Sequence, residues 1–560
     1  MLVKIFFSEN FLVILSKFII MKYSRKNHIT PRLLLADAYT IGSDQFQSKE
    51  ARKKSVYYIT FRRELFKINP EIYSEGDNRI LFYQLQRILD RILFEPIQQW
   101  EIDKSKEFLA TAKVNSKGEL KNYWCPIHLW QEVVDKFNGR PPIKIMAMPE
   151  GSVVYPNEPV IVIESLVEGF GELAAWFESK ILQSWAASEA GTQDRHFYDK
   201  VRKLYSKYFP SLSKQEINFY ASIVLTDFGD RAGMNDRESE DIGMTHLYTF
   251  GGSDTFSAGY QAWMNSNKTP GVCTSVYALA HRNIQAYENE SDAYTAIYEA
   301  AENDDFISMV NDCYCSRHAV ETYHVPLALR SLKEGNGKIV VTRPDSGVAI
   351  DEVMWTIKTA IKYGLFSEQI IDGKKWTTGT YLHFIEGDGL NYHDVLEILS
   401  TMLETGYIPW TWGLFGMGGG QRNSLKRDNL SAKYALSAIN DDYRGVVKFS
   451  ETFGKTTLPG PFKVLRTSEA LKNKETIVFP NEEGINAMVI YYDGLAEEFF
   501  DGGMLDDFNV IKARSHEQFD NMPLSLYSEE NHNYPASKAI LEERKRLLLK
   551  YAPDKKAINY

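Results

Sequence analysis

The sequence predicts an α/β barrel joined to a mixed β-rich domain that is formed from both ends of the chain. Short apolar segments in the middle of the chain end in polar, glycine-rich clusters, and helix-like segments follow them. This is the pattern of parallel strands that carry an active site at their carboxyl ends. Strand-like segments also lie before and after this region, and the length of 560 residues allows more than one domain.

The first part of the chain favours antiparallel β structure. Residues 56–61 (VYYITF) are rich in β-branched and aromatic side chains, which is typical of a strand. Residues 143–165 predict strand, turn, strand, turn and strand, with Pro-Glu-Gly and Pro-Asn-Glu-Pro as the turns. Residues 171–208 have helical spacing with little glycine or proline.

The barrel strands are expected before the clusters Asp227-Phe228-Gly229, Arg343-Pro344-Asp345 and Gly387-Asp388-Gly389. After residue 443, the segments VVKF, FKVL and MVIYYDG again predict strands. The expected organisation is an N-terminal extension at 1–28, a mixed α+β domain from 29–170 and 428–560, and an α/β barrel catalytic domain at 171–427. The apolar segment 11–20 contains Lys17 and is shorter than a membrane-spanning helix, and Met21 is an alternative start.

Composition excludes several classes of protein. Hydrophobic residues make up 44% and charged residues 25% of the chain, as in an ordinary globular enzyme. The net charge of −10 argues against nucleic-acid binding, which usually requires a basic surface. Four cysteines in a chain of this length cannot form a secreted disulfide framework, so a cytoplasmic location without membrane attachment is expected.

A triple-glycine loop is the first candidate for a binding site. Gly418, Gly419 and Gly420 precede a predicted helix that carries the cations Arg422, Lys426 and Arg427. Backbone N–H groups of consecutive glycines can converge on an anion, and a helix N-terminus adds its dipole. The loop is therefore a candidate phosphate site, and the alternative is a flexible turn.

Two further clusters combine charges with strand ends. Arg343 suits a phosphate, while Asp345 and Asp388 suit sugar hydroxyls or a metal-bound diphosphate. His281 and Phe228, taken alone, are more typical of core positions than of a site. Asp254, in Gly-Ser-Asp-Thr, is compatible with a helix cap. The residues alone thus indicate phosphate and sugar binding on an α/β barrel, without specifying the reaction.

Read in order, these clusters resemble the nicotinamide phosphoribosyltransferases within the nicotinate phosphoribosyltransferase-like family. The matching motifs are LLLADAY at 33–39, MPEG at 148–151, DFGDRAG at 227–233, GSDT at 252–255, SVYALAH at 275–281, RPDSG at 343–347, GDG at 387–389 and GMGGG at 416–420. The resemblance implies a phosphoribosyltransferase α/β barrel and the formation of nicotinamide mononucleotide and pyrophosphate from nicotinamide and phosphoribosyl pyrophosphate, with Mg²⁺, in NAD salvage.

The resemblance also implies roles for individual residues. Phe228 would stack on the pyridine ring, Tyr39 of a partner subunit would form the opposite wall, and Asp254 would contact the ring amide. The residues implied to hold the ribose, the phosphates and the pyrophosphate–magnesium region are Arg231, Arg343, Asp345, Asp312, Gly387, Asp388, Gly419, Arg427 and, across a homodimer, Arg63. No direct metal ligand is assigned.

His281 matches the histidine that the family phosphorylates with ATP, which couples ATP hydrolysis to product formation. The family commonly has a glutamate immediately before it, and this chain has Ala280. A missing carboxylate could change how the imidazole is oriented or charged. Two alternatives to this function are a nicotinate phosphoribosyltransferase and a non-catalytic barrel that senses nucleotides.

Overall fold

A computed structural model describes residues 29–450, 456–496, 506–528 and 533–553, and the expected extension at 1–28 lies outside them. The strands are β1 Ser55–Thr60, β2 Ile80–Leu81, β3 Lys113–Val114, β4 Leu120–Lys121, β5 Ile143–Ala147, β6 Val153–Val154, β7 Ile161–Ser165, β8 Leu225–Asp227, β9 Gly252–Ser253, β10 Tyr277–Leu279, β11 Phe306–Val310, β12 Ile339–Arg343, β13 Phe366–Ile371, β14 Lys374–Gly379, β15 Leu382–Glu386, β16 Gly413–Met417, β17 Lys433–Ile439, β18 Arg444–Gly445, β19 Lys463–Val464, β20 Ile477–Val478 and β21 Val489–Asp493.

The helices surround these strands. They are α1 Ala38–Ser43, α2 Lys49–Lys53, α3 Leu85–Leu93, α4 Gln99–Leu109, α5 Ile127–Lys136, α6 Gly171–Trp176, α7 Glu178–Ile181, α8 Ser184–Tyr208, α9 Lys214–Ser222, α10 Asp236–His246, α11 Phe256–Asn265, α12 His281–Gln285, α13 Glu290–Ala300, α14 Ser316–Ala319, α15 Val325–Glu334, α16 Ala349–Lys362, α17 Tyr392–Thr405, α18 Gly419–Arg422, α19 Arg427–Leu430, α20 Ser468–Asn473, α21 Phe508–Asn521 and α22 Lys538–Tyr551.

A seven-stranded parallel sheet forms the centre of the barrel region. Its strand order is β10-β11-β12-β15-β16-β8-β9, and most of its residues are buried because helices cover it. The sheet is curved, so that its edge strands β10 and β9 approach each other. Thr274, three residues before β10, donates its backbone N–H to Gly251 O and accepts from Ser253 N of β9, both at 3.1 Å. All seven carboxyl ends therefore face one side of the molecule.

A second sheet takes strands from both ends of the described chain. Its order is β18-β17-β1-β7-β5-β21, and every neighbouring pair is antiparallel. One continuous hydrophobic cluster includes Val56 and Ile161 of this sheet and Leu225 and Phe384 of the parallel sheet. The two sheets thus pack through a shared core.

Several strand and helix predictions are confirmed, and one is wrong. Strands occur at Ser55–Thr60 and at the predicted positions within 143–165, and helices occupy most of 171–208. The segment VVKF at 446–449 is not a strand, because the pairing with β17 ends at Gly445. Strand β17, which the sequence reasoning did not identify, instead pairs with β1.

None of the described helices combines the length and the apolar character that a bilayer crossing requires.

Candidate active site

The carboxyl ends of the parallel strands bring most of the predicted site residues to one side of the barrel. Phe228 follows β8, Asp254 follows β9, His281 lies two residues after β10, and Asp312 lies two residues after β11. The residues from the remaining strand ends and loops are Arg231, Arg343, Asp345, Gly387, Asp388 and Gly419. Because parallel strands share one direction, clusters far apart in sequence meet here.

Phe228 lies between a cation and two glycine backbones. The Arg343 guanidinium carbon is 5.0 Å from the centroid of the Phe228 ring, within cation–π range. A Cβ atom on Gly416 would lie 1.9 Å from Cε2 of this ring, and one on Gly387 would lie 3.0 Å from it. A larger residue at position 416 or 387 would therefore crowd the Phe228 ring, and glycine leaves room for it.

Asp254 is an exposed carboxylate at the end of β9. Ser275 Oγ donates a hydrogen bond to its Oδ1 at 2.5 Å. Partial desolvation raises the pKa of Asp254, while the Ser275 hydrogen bond and the Arg343 charge oppose the rise. The alternative role as a helix cap is wrong, because α11 begins without a side-chain cap and Thr255 is its N-cap residue.

His281 lies between two carboxylates. Its Nε2 is 2.8 Å from Asp312 Oδ1, and its Nδ1 is 3.9 Å from Asp345 Oδ2. Arg343 Nη2 lies 3.8 Å from the other oxygen of Asp345. The imidazole side chain is 38% exposed, so reactants can reach it. Asp312 fixes the ring through one nitrogen and leaves Nδ1 without a close hydrogen-bond partner among the described residues.

Neighbouring glycines of the triple-glycine loop have different surroundings. A Cβ atom on Gly420 would lie 1.9 Å from the backbone oxygen of Leu390, whereas one on Gly419 would meet only Asn423 Nδ2, at 3.2 Å. Gly420 therefore packs against the loop after β15, whereas Gly419 has no other neighbour within 4 Å. Helix α18 begins at Gly419, inside the loop, and has only four residues.

Arg422 does not stand beside this loop as an accessible cation. Its side chain is 1% exposed, and its Nη1 lies 2.8 Å from Oδ1 of the fully buried Asp227. Sequence reasoning had grouped Arg422 with Lys426 and Arg427 as cations near a phosphate. The structure assigns it instead to a buried ion pair beneath the Phe228 turn.

Glu386 is a site residue that sequence reasoning missed. It ends β15 and is 1% exposed, and its Oε1 accepts from Gly387 N at 3.0 Å and Asp388 N at 3.1 Å. Desolvation, with smaller contributions from Asp388 and Asp345, raises its pKa to about 7. A carboxylate at the end of an apolar strand, immediately before Gly-Asp-Gly, was the available signal.

Three predicted residues lie apart from this cluster within one chain. Tyr39 is 65% exposed on α1 and makes no ring contact with another residue in the described part of the chain. Arg63 is exposed after β1. Arg427 is exposed and pairs with Asp428 at 2.7 Å. Arg62, which was not singled out, approaches the α19 region by donating to Ser431 Oγ at 2.9 Å.

The described residues contain no cluster of three or more His, Cys, Asp or Glu side chains arranged to hold a metal ion.

The chain is similar to known phosphoribosyltransferases. Residues 223–457 match the nicotinate phosphoribosyltransferase (NAPRTase) family. The nicotinamide phosphoribosyltransferase of Xanthomonas campestris pv. campestris (strain 8004) is 26% identical over 497 residues, which cover 87% of this chain and 98% of that protein. The nicotinamide phosphoribosyltransferase of Acinetobacter baylyi is 23% identical over 389 residues, covering 66% and 75% respectively.

The fold is also found in a solved structure. The crystal structure of human nicotinic acid phosphoribosyltransferase matches with a TM-score of 0.55 and 13% identity, and covers 92% of this chain and 100% of that one. At this identity the match concerns the fold.

Proposed function

We propose that this chain, a phosphoribosyltransferase that carries a NAPRTase family domain, uses nicotinamide as its acceptor in NAD salvage. The products would be nicotinamide mononucleotide and pyrophosphate. The observation that carries this choice is Asp254, an exposed carboxylate that feels the charge of Arg343, the residue that lies over the Phe228 ring. A carboxylate accepts a hydrogen bond from an amide N–H but repels the carboxylate of nicotinate.

The proposed reaction forms one bond and breaks one bond at C1 of phosphoribosyl pyrophosphate. The pyridine nitrogen attacks C1, and the C1–O bond to pyrophosphate breaks with both electrons leaving on oxygen. No protein atom needs to bond to the sugar, so catalysis depends on positioning and charge stabilisation. Phe228 would stack on the ring, and Arg343 would neutralise developing charge on the leaving group.

The remaining strand ends supply the sugar and phosphate contacts in this proposal. Asp345 and Asp388 would accept hydrogen bonds from ribose hydroxyls. The backbone of Gly387 and the open Gly419 would line the pocket for ribose and 5′-phosphate, with Arg231, Arg427 and the partner's Arg63 as cations around the phosphates. These roles are the ones that the family resemblance implies for these residues.

The donor set fits a magnesium ion that is held mainly by its substrate. Asp312 and Asp345 offer carboxylate oxygens, the ligands that Mg²⁺ prefers. Magnesium is commonly bound by one or two carboxylates together with phosphate oxygens, so these two side chains and the pyrophosphate would hold it together. Bound there, Mg²⁺ would supply positive charge to the departing pyrophosphate.

His281 supports the proposed coupling to ATP. In this step Nδ1 attacks the γ-phosphorus, the bond to the bridging oxygen of ADP breaks, and a phosphohistidine forms that water later hydrolyses. The Asp312 contact at 2.8 Å orients the ring as Ala280 cannot. Asp312 would also stabilise the imidazolium character of the phosphorylated ring.

A homodimer with shared sites completes the proposal. Tyr39 is 65% exposed, so its ring is accessible to a partner subunit. Met234, Phe256 and Tyr277, each within four residues in sequence of a predicted site residue, are 92%, 71% and 80% exposed. Large exposed apolar side chains in these segments support a protein interface there.

One observation favours nicotinate as the second candidate substrate. The Arg343 guanidinium lies over the Phe228 ring, where it could pair with a carboxylate on a stacked pyridine. The raised pKa of Asp254 also lowers the cost of placing a second carboxylate nearby.

The test is a product assay with nicotinamide and nicotinate in parallel, with phosphoribosyl pyrophosphate, Mg²⁺ and ATP. We expect kcat/KM for nicotinamide to exceed that for nicotinate by at least about ten-fold, since one charge-assisted contact contributes about 1.5–3 kcal/mol. Arg343→Ala serves as the inactive control. A preference for nicotinate would establish the second candidate, and turnover of neither pyridine would refute both.

A further inference from the structure

Asp227 connects the two segments that form the ring pocket. Its Oδ1 accepts from the backbone N–H of Gly229 at 2.8 Å, inside the turn that carries Phe228. Its Oδ2 accepts from Ser253 Oγ at 3.1 Å, immediately before Asp254. Its backbone oxygen accepts from Asp254 N at 2.9 Å. One residue therefore holds both the aromatic wall and the carboxylate.

Arg422 is the cation that stabilises this carboxylate. Its Nη1 lies 2.8 Å from Asp227 Oδ1, and the two side chains are 1% and 0% exposed. A Cβ atom on Gly229 would lie 2.2 Å from Cζ of Arg422, so the guanidinium packs directly against the Phe228 turn. A buried carboxylate that loses its cation is strongly destabilised.

A chain of buried hydrogen bonds fixes Arg422 in turn. Its Nη1 donates to Gln421 Oε1 at 2.7 Å, and Gln421 Nε2 donates to Tyr392 Oη at 2.9 Å. Tyr392 Oη donates to Asp194 Oδ1 at 2.7 Å, which lies on α8. Within the described residues, Nε and Nη2 of Arg422 have no hydrogen-bond acceptor. Arg422 therefore depends on Asp227 and Gln421 for its orientation.

We infer that Arg422 is a positioning residue for the pyridine pocket. Through Asp227 it fixes Phe228 and Asp254 relative to each other, without itself reaching the substrate. Removing it should loosen the ring pocket while the ribose and phosphate contacts on β12 and β15 remain in place. The inference rests on the proposed function only in taking a pyridine as the ligand of this pocket.

The kinetic test compares two Michaelis constants in the full-length protein. Arg422→Met should raise KM for the preferred pyridine by about ten-fold or more, which corresponds to about 1.4 kcal/mol. KM for phosphoribosyl pyrophosphate should rise less than KM for the pyridine, because Arg343, Asp345 and Asp388 do not depend on Asp227. Only Arg231 and Gly419 among its proposed contacts adjoin the altered segments. Arg422→Lys keeps the charge and should recover part of the loss.

The matched control is Arg466→Met. Arg466 forms a bidentate pair with the buried Glu158, both contacts at 2.9 Å, and contacts no residue of the pocket. Arg466→Met should lower thermal stability, and it should change KM for the pyridine and KM for phosphoribosyl pyrophosphate by the same factor. The positioning role would be overturned if Arg422→Met raised both KM values by the same factor. It would also be overturned if Arg466→Met raised KM for the pyridine alone.

A second measurement does not depend on activity. Hydrogen exchange followed by mass spectrometry should show faster exchange at 226–233 and 253–256 in Arg422→Met, with β15 unchanged. Unchanged exchange in both segments would refute the inference. If the unmodified protein uses neither pyridine, the proposed function fails, and the exchange data still decide the role of Arg422.

A milder variant covers the case in which Arg422→Met does not fold. Ser253→Ala removes one of the hydrogen bonds to the Asp227 carboxylate and should raise KM for the pyridine about three-fold, because Arg422 and the Gly229 N–H still hold that carboxylate. No change in that variant, together with unchanged constants in Arg422→Lys, would also contradict the inference.

Discussion

At the scale of single residues, Asp254 determines the expected substrate preference. Asp254→Ser removes the charge that accepts from an amide and repels a carboxylate. We expect the ratio of kcat/KM for nicotinamide over nicotinate to fall by about ten-fold, a change of about 1.4 kcal/mol. Steady-state kinetics with both substrates measure the ratio, and Asp103→Ser, an exposed position on α4, is the control. An unchanged ratio would rule out a role for Asp254 in specificity.

His281 determines the expected use of ATP. His281→Ala should abolish ATP hydrolysis because the nucleophilic nitrogen is gone, while slow ATP-independent formation of mononucleotide continues. ATPase and mononucleotide assays on one preparation measure both activities. His318→Ala, which changes an exposed histidine on α14, should retain ATP hydrolysis. Full hydrolysis by His281→Ala would show that another group is phosphorylated.

Glu386 gives a pH-dependent effect on stability. Its pKa is about 7 in the folded protein against a usual 4.5. Below pH 4.5 both states are protonated, and as pH rises towards 7 the unfolded state loses its proton first, so stability falls and the full cost remains above pH 7. Glu386→Gln removes this cost.

The gain in Tm from Glu386→Gln should therefore be about 2 °C larger at pH 8 than at pH 5. Thermal unfolding of both proteins at the two pH values measures the difference. Glu397→Gln, an exposed glutamate on α17, should show no such dependence. A gain that is equal at both pH values would mean that Glu386 is ionised throughout.

At the scale of elements, two neighbouring residues of the triple-glycine loop have different expected roles, Gly420 in packing and Gly419 in phosphate binding. Gly420→Ala should lower Tm by several degrees, because the new Cβ would lie 1.9 Å from the Leu390 backbone oxygen. Gly419→Ala should leave Tm within about 2 °C, since its neighbour is a side-chain nitrogen at 3.2 Å. It should instead raise KM for phosphoribosyl pyrophosphate. Unfolding curves and kinetics on the pair check both effects, and reversed results would place the binding surface at Gly420.

Three of the parallel strands, β8, β12 and β15, were predictable because their sequences combine two local signals. Apolar runs such as 339–341 indicate burial, and the polar residues after them indicate a functional strand end. Strand β17 was not identified, because its pairing with β1 connects residues 55 and 439 and leaves no local turn signal. The residues of a short edge segment such as VVKF favour a strand, but the segment forms one only where a neighbouring strand pairs with it.

The position of the site was predictable because its clusters follow the ends of parallel strands, whereas Phe228 and His281 became candidates only through the family resemblance. Phe228, His281 and Asp345 follow strands and lie together as expected. Arg422 was misassigned because arginine is usually exposed, and nothing in the local sequence shows that Asp227 is buried beneath it. Tyr39 and Arg63 depend on contacts between chains, and the roles assigned to them stay predictions.

At the scale of the whole molecule, the proposed homodimer with shared active sites predicts complementation between inactive variants. Tyr39→Ala and Phe228→Ala chains should each be inactive alone. Subunit exchange between them should restore activity at about half of the sites in each heterodimer, because one site then contains both aromatic walls. Activity is measured during exchange that is verified by mass-labelled subunits, and mixtures of a single variant are the control. Verified exchange without recovery would mean that each site belongs to one chain.

The antiparallel sheet also sets the order in which a new chain can fold. Strand β1 ends at residue 60 and its partner β17 begins at residue 433, so about 370 residues leave the ribosome between them. At roughly 5–20 residues per second, translation of that stretch takes about 20–75 s. During this interval the outer side of the β1 backbone has no strand to pair with, and such an open edge is prone to non-native pairing. Biosynthesis of this protein is therefore most exposed to aggregation while the barrel is being made.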